Sequence, residues 1–249
     1  PLHVAAIMGD AGVAGFLLSS GADPDVRDDL NGTPLMLAAW RGHGTVAKLL
    51  ADAGAEVDAV DQDGDTPLCL AVQEGHAGVS AMLLDAGADA SHRNGSGYVP
   101  LHAAAQEGFC DIARQLLEHG AEPDSCAPQG QTPLMLAAWN GHADLCRILL
   151  EHGAHADMRD GRRSTALHHA ALRGHADCAA LLLEHGAPAG CTDAQGWTPL
   201  LLAAQEGNAG CAAVLLEHGA QADATAPGSW TALHAAARSG SVELAGMLL

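Results

Sequence analysis

The sequence predicts an all-α solenoid, in which helix-turn-helix repeats are stacked and a β-hairpin joins each repeat to the next. Three kinds of residue recur every 33 positions along the 249-residue chain without an insertion. The first two are glycines expected to end the two helices of a repeat: Gly9, Gly42, Gly75, Gly108, Gly141, Gly174, Gly207 and Gly240, and Gly21, Gly54, Gly87, Gly120, Gly153, Gly186 and Gly219. The third is a threonine expected to begin a helix, replaced once by Val99: Thr33, Thr66, Thr132, Thr165, Thr198 and Thr231. A period held over the whole length indicates a repeat array whose units contact only their neighbours.

Residues 61–93 show how one repeat is built. The segment 61–65, DQDGD, has the composition of a turn, and Thr66 with Pro67 is typical of a helix start, because Thr caps the helix and Pro needs no N–H at the first position. Apolar residues then recur at i, i+3 and i+4 on each of two helices: Leu68, Ala71 and Val72, and Val79, Met82 and Leu83. Helices of two or three turns do not persist alone, so packing between repeats must stabilise them.

Composition and charge restrict the possible functions. Apolar residues make up 48% of the chain and aromatics only 3%, so the core is expected to consist of Ala and Leu. The net charge of −19 disfavours nucleic acid and anionic membranes as partners. Seven cysteines without paired spacing predict free thiols and an intracellular protein, cytoplasmic or nuclear. No apolar run is long enough for a membrane span, and we expect a monomer.

Two sets of sequence strings carry a family resemblance. The strings TPLMLAAWRGH, TPLCLAVQEGH, VPLHAAAQEGF, TPLMLAAWNGH, TALHHAALRGH, TPLLLAAQEGN and TALHAAARSG, and second-helix endings such as LLEHGA, resemble the ankyrin repeat over the whole chain. The resemblance implies a single solenoid over residues 1–249 with a concave face, its units starting near residues 1, 28, 61, 94, 127, 160, 193 and 226. Because the first and last units are incomplete, we expect a fragment of a longer protein.

The chain departs from the ankyrin pattern at a few positions. Val99 replaces Thr, and Ala166 and Ala232 replace Pro. The turn glycine of the hairpin is replaced three times, by Asn31, Arg163 and Ser229. Those three hairpins are expected to be looser than the others.

The resemblance also implies where a partner protein would bind. In ankyrin-type arrays the hairpin tips and the first helices line the concave face, and all four tryptophans and the only tyrosine fall in those slots. The candidate partner-binding residues are Trp40, Arg41, Tyr98, Trp139, Asn140, Trp197 and Trp230. Exposed aromatic rings are typical binding hot spots, but an aromatic in these slots is also suited to bracing a hairpin against its neighbour. Both interpretations stay open on the sequence alone.

Nine acids and no base lie between Lys48 and Arg93, which suggests either a patch for a basic partner or the ordinary use of Asp in turns.

Most of the 15 histidines fall in one of three repeated positions: the last residue of TPLH, the residue after the first-helix glycine, and the histidine of EHGA. The nearest approach to a metal site is His175 with Cys178 and Cys211, but a full ligand set is missing, and Cys146, Cys178 and Cys211 are better interpreted as core residues. The DQDGD segment lacks the spacing of a calcium loop. We therefore expect no metal, no cofactor and no catalytic residues.

Three functions are compatible with these patterns. The first is a protein-interaction module or scaffold that binds a partner protein or peptide on the hairpin and first-helix face. The second is a reader of modified, lysine-rich tails, in which Trp197 and Trp230, one repeat or about 10 Å apart, form part of an aromatic cage. The third is a regulatory or docking arm of an enzyme that lies outside this segment.

Overall fold

Sixteen short helices follow one another in pairs along the computed structural model, which describes residues 1–249. They are α1 Leu2–Met8, α2 Ala11–Ser19, α3 Pro34–Trp40, α4 Gly44–Asp52, α5 Pro67–Gln73, α6 Ala77–Asp85, α7 Pro100–Glu107, α8 Cys110–Glu118, α9 Pro133–Asn140, α10 Ala143–Glu151, α11 Ala166–Arg173, α12 Ala176–Glu184, α13 Pro199–Glu206, α14 Ala209–Glu217, α15 Ala232–Ser239 and α16 Val242–Leu248. One pair of antiparallel strands, β1 Thr225–Ala226 and β2 Trp230–Thr231, completes the structure. The predicted stack of helical repeats is confirmed, although only the last predicted hairpin contains β-strands.

The chain divides into two compact units. One consists of residues 1–104 and 109–122, and the other of residues 105–108 and 123–249. In the first unit, neighbouring first helices such as α3 and α5 pack together, and in the second α9, α11 and α13 do the same. The extent of the predicted single solenoid and its unit boundaries stay predictions.

The repeated threonine begins the first helix of a repeat by capping it. The Oγ1 atoms of Thr33, Thr66, Thr132 and Thr198 each accept a hydrogen bond of 3.3 Å from the backbone N–H three residues on. Where the TPLH slot holds a histidine, its Nδ1 atom accepts from the backbone N–H of the capping residue, as His102 does from Val99 at 3.2 Å. At Val99, which has no hydroxyl, the backbone N–H of His102 donates to Val99 O at 2.9 Å.

The glycine at the end of the first helix is required by a contact between repeats. Gly42 has a φ of 73°, and a Cβ atom there would lie 2.7 Å from the ring of His76 in the next repeat. The same ring contacts the carbonyl of Trp40 through Nε2 at 3.0 Å. The recurring RGH, EGH and NGH strings therefore place a histidine where it contacts the end of the preceding first helix.

The core of each unit consists mainly of Ala and Leu side chains, as predicted. Leu68, Ala71 and Val72 are fully buried, and so are Leu134 and Leu149. The prediction for Met82 was wrong, because this residue is half-buried while Leu84 is buried. The cysteines Cys146, Cys178 and Cys211 are free thiols buried in the core, which confirms their predicted role.

The three hairpins without the turn glycine are closed in the structure, and the expectation that they are looser than the others stays a prediction. Asn31, Arg163 and Ser229 adopt left-handed φ values of 63°, 59° and 60°. Two backbone hydrogen bonds close the Arg163 turn, from Arg163 N to Asp160 O at 2.8 Å and from Asp160 N to Ser164 O at 2.9 Å, and the corresponding bonds of the Gly130 turn measure 2.7 Å and 2.9 Å. The Ser229 turn connects β1 and β2. Backbone hydrogen bonding holds these residues in a conformation that their side chains disfavour.

Candidate functional site

Two of the predicted partner-binding tryptophans are exposed at the ends of first helices. Trp40 ends α3 with 37% of its surface exposed, and Trp139 lies at the end of α9 with 36% exposed. The neighbouring predicted residues, Arg41 and Asn140, are also exposed, although the Asn140 amide donates to Leu136 O at 3.0 Å within its own helix. The structure therefore places four predicted residues in two exposed pairs, one in each unit.

The ring of Trp40 is held by its neighbours in the first unit. Its indole N–H donates to Glu74 Oε1 at 3.2 Å. The guanidinium carbon of Arg41 lies 4.0 Å from the ring centroid, in cation–π contact. Both the N–H and one face of this ring are thus engaged within the protein.

The ring of Trp139 has a different environment in the second unit. His169 packs edge-on against it with ring centroids 5.5 Å apart, and the guanidinium carbon of Arg173 lies 4.8 Å from the ring centroid. Its indole N–H makes no hydrogen bond with the protein. Because an indole N–H is a donor only, this group is available to an acceptor on a ligand.

Trp139 lies in an open groove of the second unit, with a volume of about 710 Å³. The groove is lined by Gln106, Glu107, Gln129, Gln131, Leu136, Trp139, Asn140, Asp160, Gly161, Arg162 and His169. These residues come from the ends of three first helices, α7, α9 and α11, and from two hairpin tips. The groove therefore combines an exposed ring with amide and charged groups.

A buried hydrogen bond between His169 and Asp160 fixes one side of the groove. Asp160 Oδ1 accepts the backbone N–H groups of Arg162 and Ser164, each at 2.8 Å, and Oδ2 lies 3.2 Å from His169 Nε2. The side chains of His169 and Asp160 are only 13% and 7% exposed. Burial lowers the pKa of His169, with a smaller opposing contribution from the Asp160 carboxylate. The Asp160 contacts hold the Arg162 turn against α11.

The remaining three predicted residues, Tyr98, Trp197 and Trp230, are half-buried. Tyr98 packs edge-on against His102 at 5.5 Å, and Trp230 stacks on His234 at 5.4 Å with Arg238 at 5.3 Å from its ring. The indole nitrogen of Trp230 is buried and has no hydrogen-bond partner. Trp197 and Trp230 form no ring pair with each other, and Arg238 already occupies a cation position at Trp230. These contacts favour bracing roles for Tyr98 and Trp230.

Sequence reasoning missed the basic and buried groups beside Trp139. Arg173 lies over the ring, Arg162 lines the same groove, and Asp160 accepts the backbone N–H of Arg162. A signal was present in the sequence, because segment 158–173 contains four arginines and a single acid in a chain with a net charge of −19. His169, which falls outside the repeated histidine slots, was a second signal.

Three of the nine acids between Lys48 and Arg93 cap backbone N–H groups in or between turns. Asp61 Oδ1 accepts from the backbone of Asp63 and Asp65, and Asp58 Oδ1 accepts from the backbone of Asp89 in the next repeat. Asp89 in turn accepts from the backbone of Ser91. These contacts support the interpretation that Asp is present for the turns.

The residues that come nearest to a metal site in the sequence make structural contacts in the fold. His175 Nε2 contacts Trp139 O at 3.1 Å, and Cys211 Sγ lies 3.7 Å from Ala170 O. No group of three or more His, Cys, Asp or Glu side chains is placed to share a metal ion.

The fold and the repeated contacts define an ankyrin-type repeat protein. The family model for ankyrin repeats matches residues 2–94, 83–160, 101–193 and 167–249, so the chain belongs to the ankyrin repeat family. Members of this family are generally protein–protein interaction modules.

Two solved structures are similar to this chain. The ankyrin repeat domain of human ASB11 matches with a TM-score of 0.78 and 32% identity over 88% of this chain and 97% of that domain. The ankyrin repeat domain of Bcl-3 matches with a TM-score of 0.74 and 31% identity over 81% of this chain and 92% of that domain. A search of curated proteins gives no match. No helix combines the length and apolar character that a membrane span requires.

Proposed function

We propose that the chain is a protein-interaction module that binds a peptide segment of its partner in the groove around Trp139. The observation that carries the proposal is the state of this ring, which is exposed in an open groove and has an indole N–H without a partner in the protein. Exposed tryptophans flanked by arginine are frequent anchors of protein interfaces.

The groove has the features that recognition of a peptide needs. Its open shape admits a continuous chain rather than enclosing a small molecule. The side chains of Gln129 and Gln131 lie at its hairpin edge, where amides pair well with a peptide backbone, and Leu136 adds an apolar contact beside Trp139. A peptide side chain packed on Trp139 would thus be flanked by hydrogen-bonding groups.

The aromatic-cage alternative has less support. A cage needs open ring faces around one cation, whereas the ring of Trp230 stacks on His234 and already has Arg238 beside it. Interaction through the Trp139 groove is therefore the better-supported function. The same activity would serve a docking arm of an enzyme.

The proposal is tested by selecting peptides from an unbiased display library on the whole chain. The selected peptides should bind Trp139→Ala at least tenfold more weakly, a loss of about 1.4 kcal/mol or more, because the ring anchors them. Circular dichroism should show unchanged helical content.

Trp40→Ala provides a matched comparison, because Trp40 lies in an identical TPLMLAAW string. We expect less than about a threefold loss for this variant, since its ring is already engaged by Arg41 and Glu74. Peptides that bind Trp139→Ala as well as the parent chain would refute the proposed site.

A further inference from the structure

The two exposed tryptophans, Trp40 and Trp139, are accompanied by residues of opposite charge at equivalent positions of their repeats. The string TPLMLAAW occurs at residues 33–40 and again at 132–139, exactly three repeats later. The slots 23 and 34 positions after the tryptophan hold Asp63 and Glu74 in the first copy. The corresponding slots hold Arg162 and Arg173 in the second copy. The same tryptophan position is thus accompanied by acidic residues in one copy and by basic residues in the other.

This exchange of charge changes what the indole N–H can contact. In the first unit Glu74 accepts the Trp40 N–H at 3.2 Å. In the second unit the equivalent residue, Arg173, has donors only, so it contacts the face of the Trp139 ring and cannot accept the N–H. Trp139, Arg162 and Arg173 therefore present donors alone, and the complementary ligand must supply acceptors.

The arginines around the groove are not neutralised by carboxylates. Arg162 and Arg173 form no salt bridge, and neither do Arg159 and Arg163 on the same hairpin. Arg159 instead donates to the carbonyl of Thr192 at 3.4 Å. The acid of this segment, Asp160, accepts from two backbone N–H groups and contacts His169. Because this single carboxylate faces four arginines in segment 158–173, the segment keeps a positive charge for a ligand.

The one other acid of the groove lies on the α7 side. Glu107 Oε1 accepts from Gln106 Nε2 at 3.0 Å, so its charge is partly engaged by a neighbouring amide. The groove therefore runs from one carboxylate at α7 to the arginines beyond Trp139. A bound acidic segment would have its carboxylates at the arginine side.

We propose that the Trp139 groove recognises an acidic peptide segment, whose carboxylates pair with Arg162 and Arg173 and which places an apolar side chain on Trp139. This inference rests on the proposed function and specifies its ligand. Guanidinium groups bind carboxylates through paired, charge-assisted hydrogen bonds, and the Trp139 N–H supplies one more donor. At physiological salt the screening length is about 8 Å, so carboxylates that lie farther than this from the groove have little influence on a ligand bound there.

The test uses three fluorescein-labelled synthetic peptides of about twelve residues, identical in their central Leu-Phe pair and carrying flanking Glu, Gln or Lys. Fluorescence anisotropy at physiological salt measures their binding to the whole chain. We expect the Glu peptide to bind about tenfold more tightly than the Gln peptide, and the Lys peptide to bind weakest, because like charges oppose each other in the groove. Single-stranded RNA of matched charge serves as a competing polyanion.

The decisive variant is Arg162→Asp with Arg173→Glu, which gives Trp139 the flanking residues that Trp40 has. It should lower affinity for the Glu peptide about tenfold or more and shift the preference toward the Lys peptide. The control is Arg114→Glu with Arg147→Glu, which changes the net charge equally at exposed positions on the second helices α8 and α10. Helical content and urea unfolding confirm that both variants fold.

The outcomes separate this inference from the proposed function. If Lys or Gln peptides bind as tightly as the Glu peptide and still depend on Trp139, the acidic ligand is refuted while the interaction groove stands. The inference is also refuted if the Glu peptide does not bind, if the arginine variant binds it unchanged, or if only RNA responds to that variant. If display selection yields no peptide that depends on Trp139, the proposed function itself fails.

Discussion

The buried histidine His168 shows how one residue of a repeated slot makes the folded state sensitive to pH. His168 occupies the TPLH slot, where Nδ1 accepts the backbone N–H of Thr165 at 3.1 Å and Nε2 donates to Trp197 O at 3.2 Å. Burial lowers its pKa to about 4, so the ring is neutral at physiological pH. Protonation would place a hydrogen on Nδ1 and remove its acceptor function. Protonation would therefore break the local bond with the Thr165 N–H, whereas Nε2 would still donate to Trp197 O in the next repeat.

The free energy of unfolding should fall as the pH drops from about 6.5 toward 4 because of His168. In the unfolded chain this histidine has its ordinary pKa, whereas in the folded chain its pKa is about 4. Between these two pH values the unfolded chain binds the proton and the folded chain does not. The free energy of unfolding is therefore highest above pH 6.5 and decreases by up to about 3 kcal/mol as the pH falls to 4. His168→Met, which places there the residue that Met135 provides one repeat earlier, should reduce the fall in urea unfolding experiments.

His155→Gln is the control for this measurement. His155 is exposed, and its hydrogen bond with Asp124 raises its pKa, so it favours the folded state at low pH. Its removal should deepen the fall instead of reducing it. Equal pH dependence in the parent chain and His168→Met would contradict the role assigned to His168.

The turn residue Arg163 provides a second prediction for a single residue. Arg163 adopts a φ of 59° in the slot where the preceding repeat has Gly130. Arg163→Gly should therefore raise the free energy of unfolding by about 1 kcal/mol, because glycine adopts this conformation without strain. The reciprocal change Gly130→Ala should destabilise the chain, since φ is 77° there and a Cβ atom would lie 3.2 Å from Gly161 N. A loss of stability in Arg163→Gly would show that its side chain makes a compensating contact.

At the scale of the helices, packing between neighbours provides the stability that each short helix lacks. Leu134 on α9 and Leu149 on α10 are completely enclosed in the second unit. Leu134→Ala and Leu149→Ala should each cost about 2–5 kcal/mol of unfolding free energy, since each leaves a cavity. Met82→Ala, at a half-buried position of the first unit, should cost less. If Leu134→Ala and Leu149→Ala unfold at the same urea concentration as the parent chain, these two leucines do not belong to the core.

Much of this architecture could be predicted from the sequence, because each signal has a local physical cause. Threonine caps and glycine ends depend on a few neighbouring residues, so Thr66 and Gly75 locate α5 correctly. On α6, Leu84 is buried and Met82 is only half-buried. This choice depends on the neighbouring elements that contact α6, and the periodicity of the α6 sequence does not specify them. The groove was only partly predictable, because Trp139 was found by its slot whereas Arg162 and Arg173 approach it from the next repeat.

At the scale of the molecule, apolar side chains are exposed mainly in the first and last helix pairs. Met8 and Phe16 are 71% and 70% exposed at one end, and Val242 is 85% exposed at the other. Terminal repeats pack against one neighbour only, so they have fewer contacts to lose on opening. This distribution implies unequal local stability along the chain.

Hydrogen exchange should therefore be fastest in α1, α2, α15 and α16 and slowest in central helices such as α9 and α10. The expected difference is at least about tenfold in protection, because terminal repeats open without disrupting the rest of an array. Mass spectrometry of peptic fragments measures it directly. Uniform protection across the sixteen helices would contradict this picture of nearest-neighbour stability.

The central claim, that partners bind at the Trp139 groove, is tested most directly by NMR of the four indole N–H groups. Each signal is assigned with a Trp→Phe variant, and a peptide obtained by display selection is then titrated into the labelled chain. The Trp139 signal should move most, because its N–H has no partner within the protein, while the signal of Trp230, whose nitrogen is buried, should stay in place. A bound peptide that shifts the Trp40, Trp197 or Trp230 signals and leaves Trp139 unchanged would contradict the account.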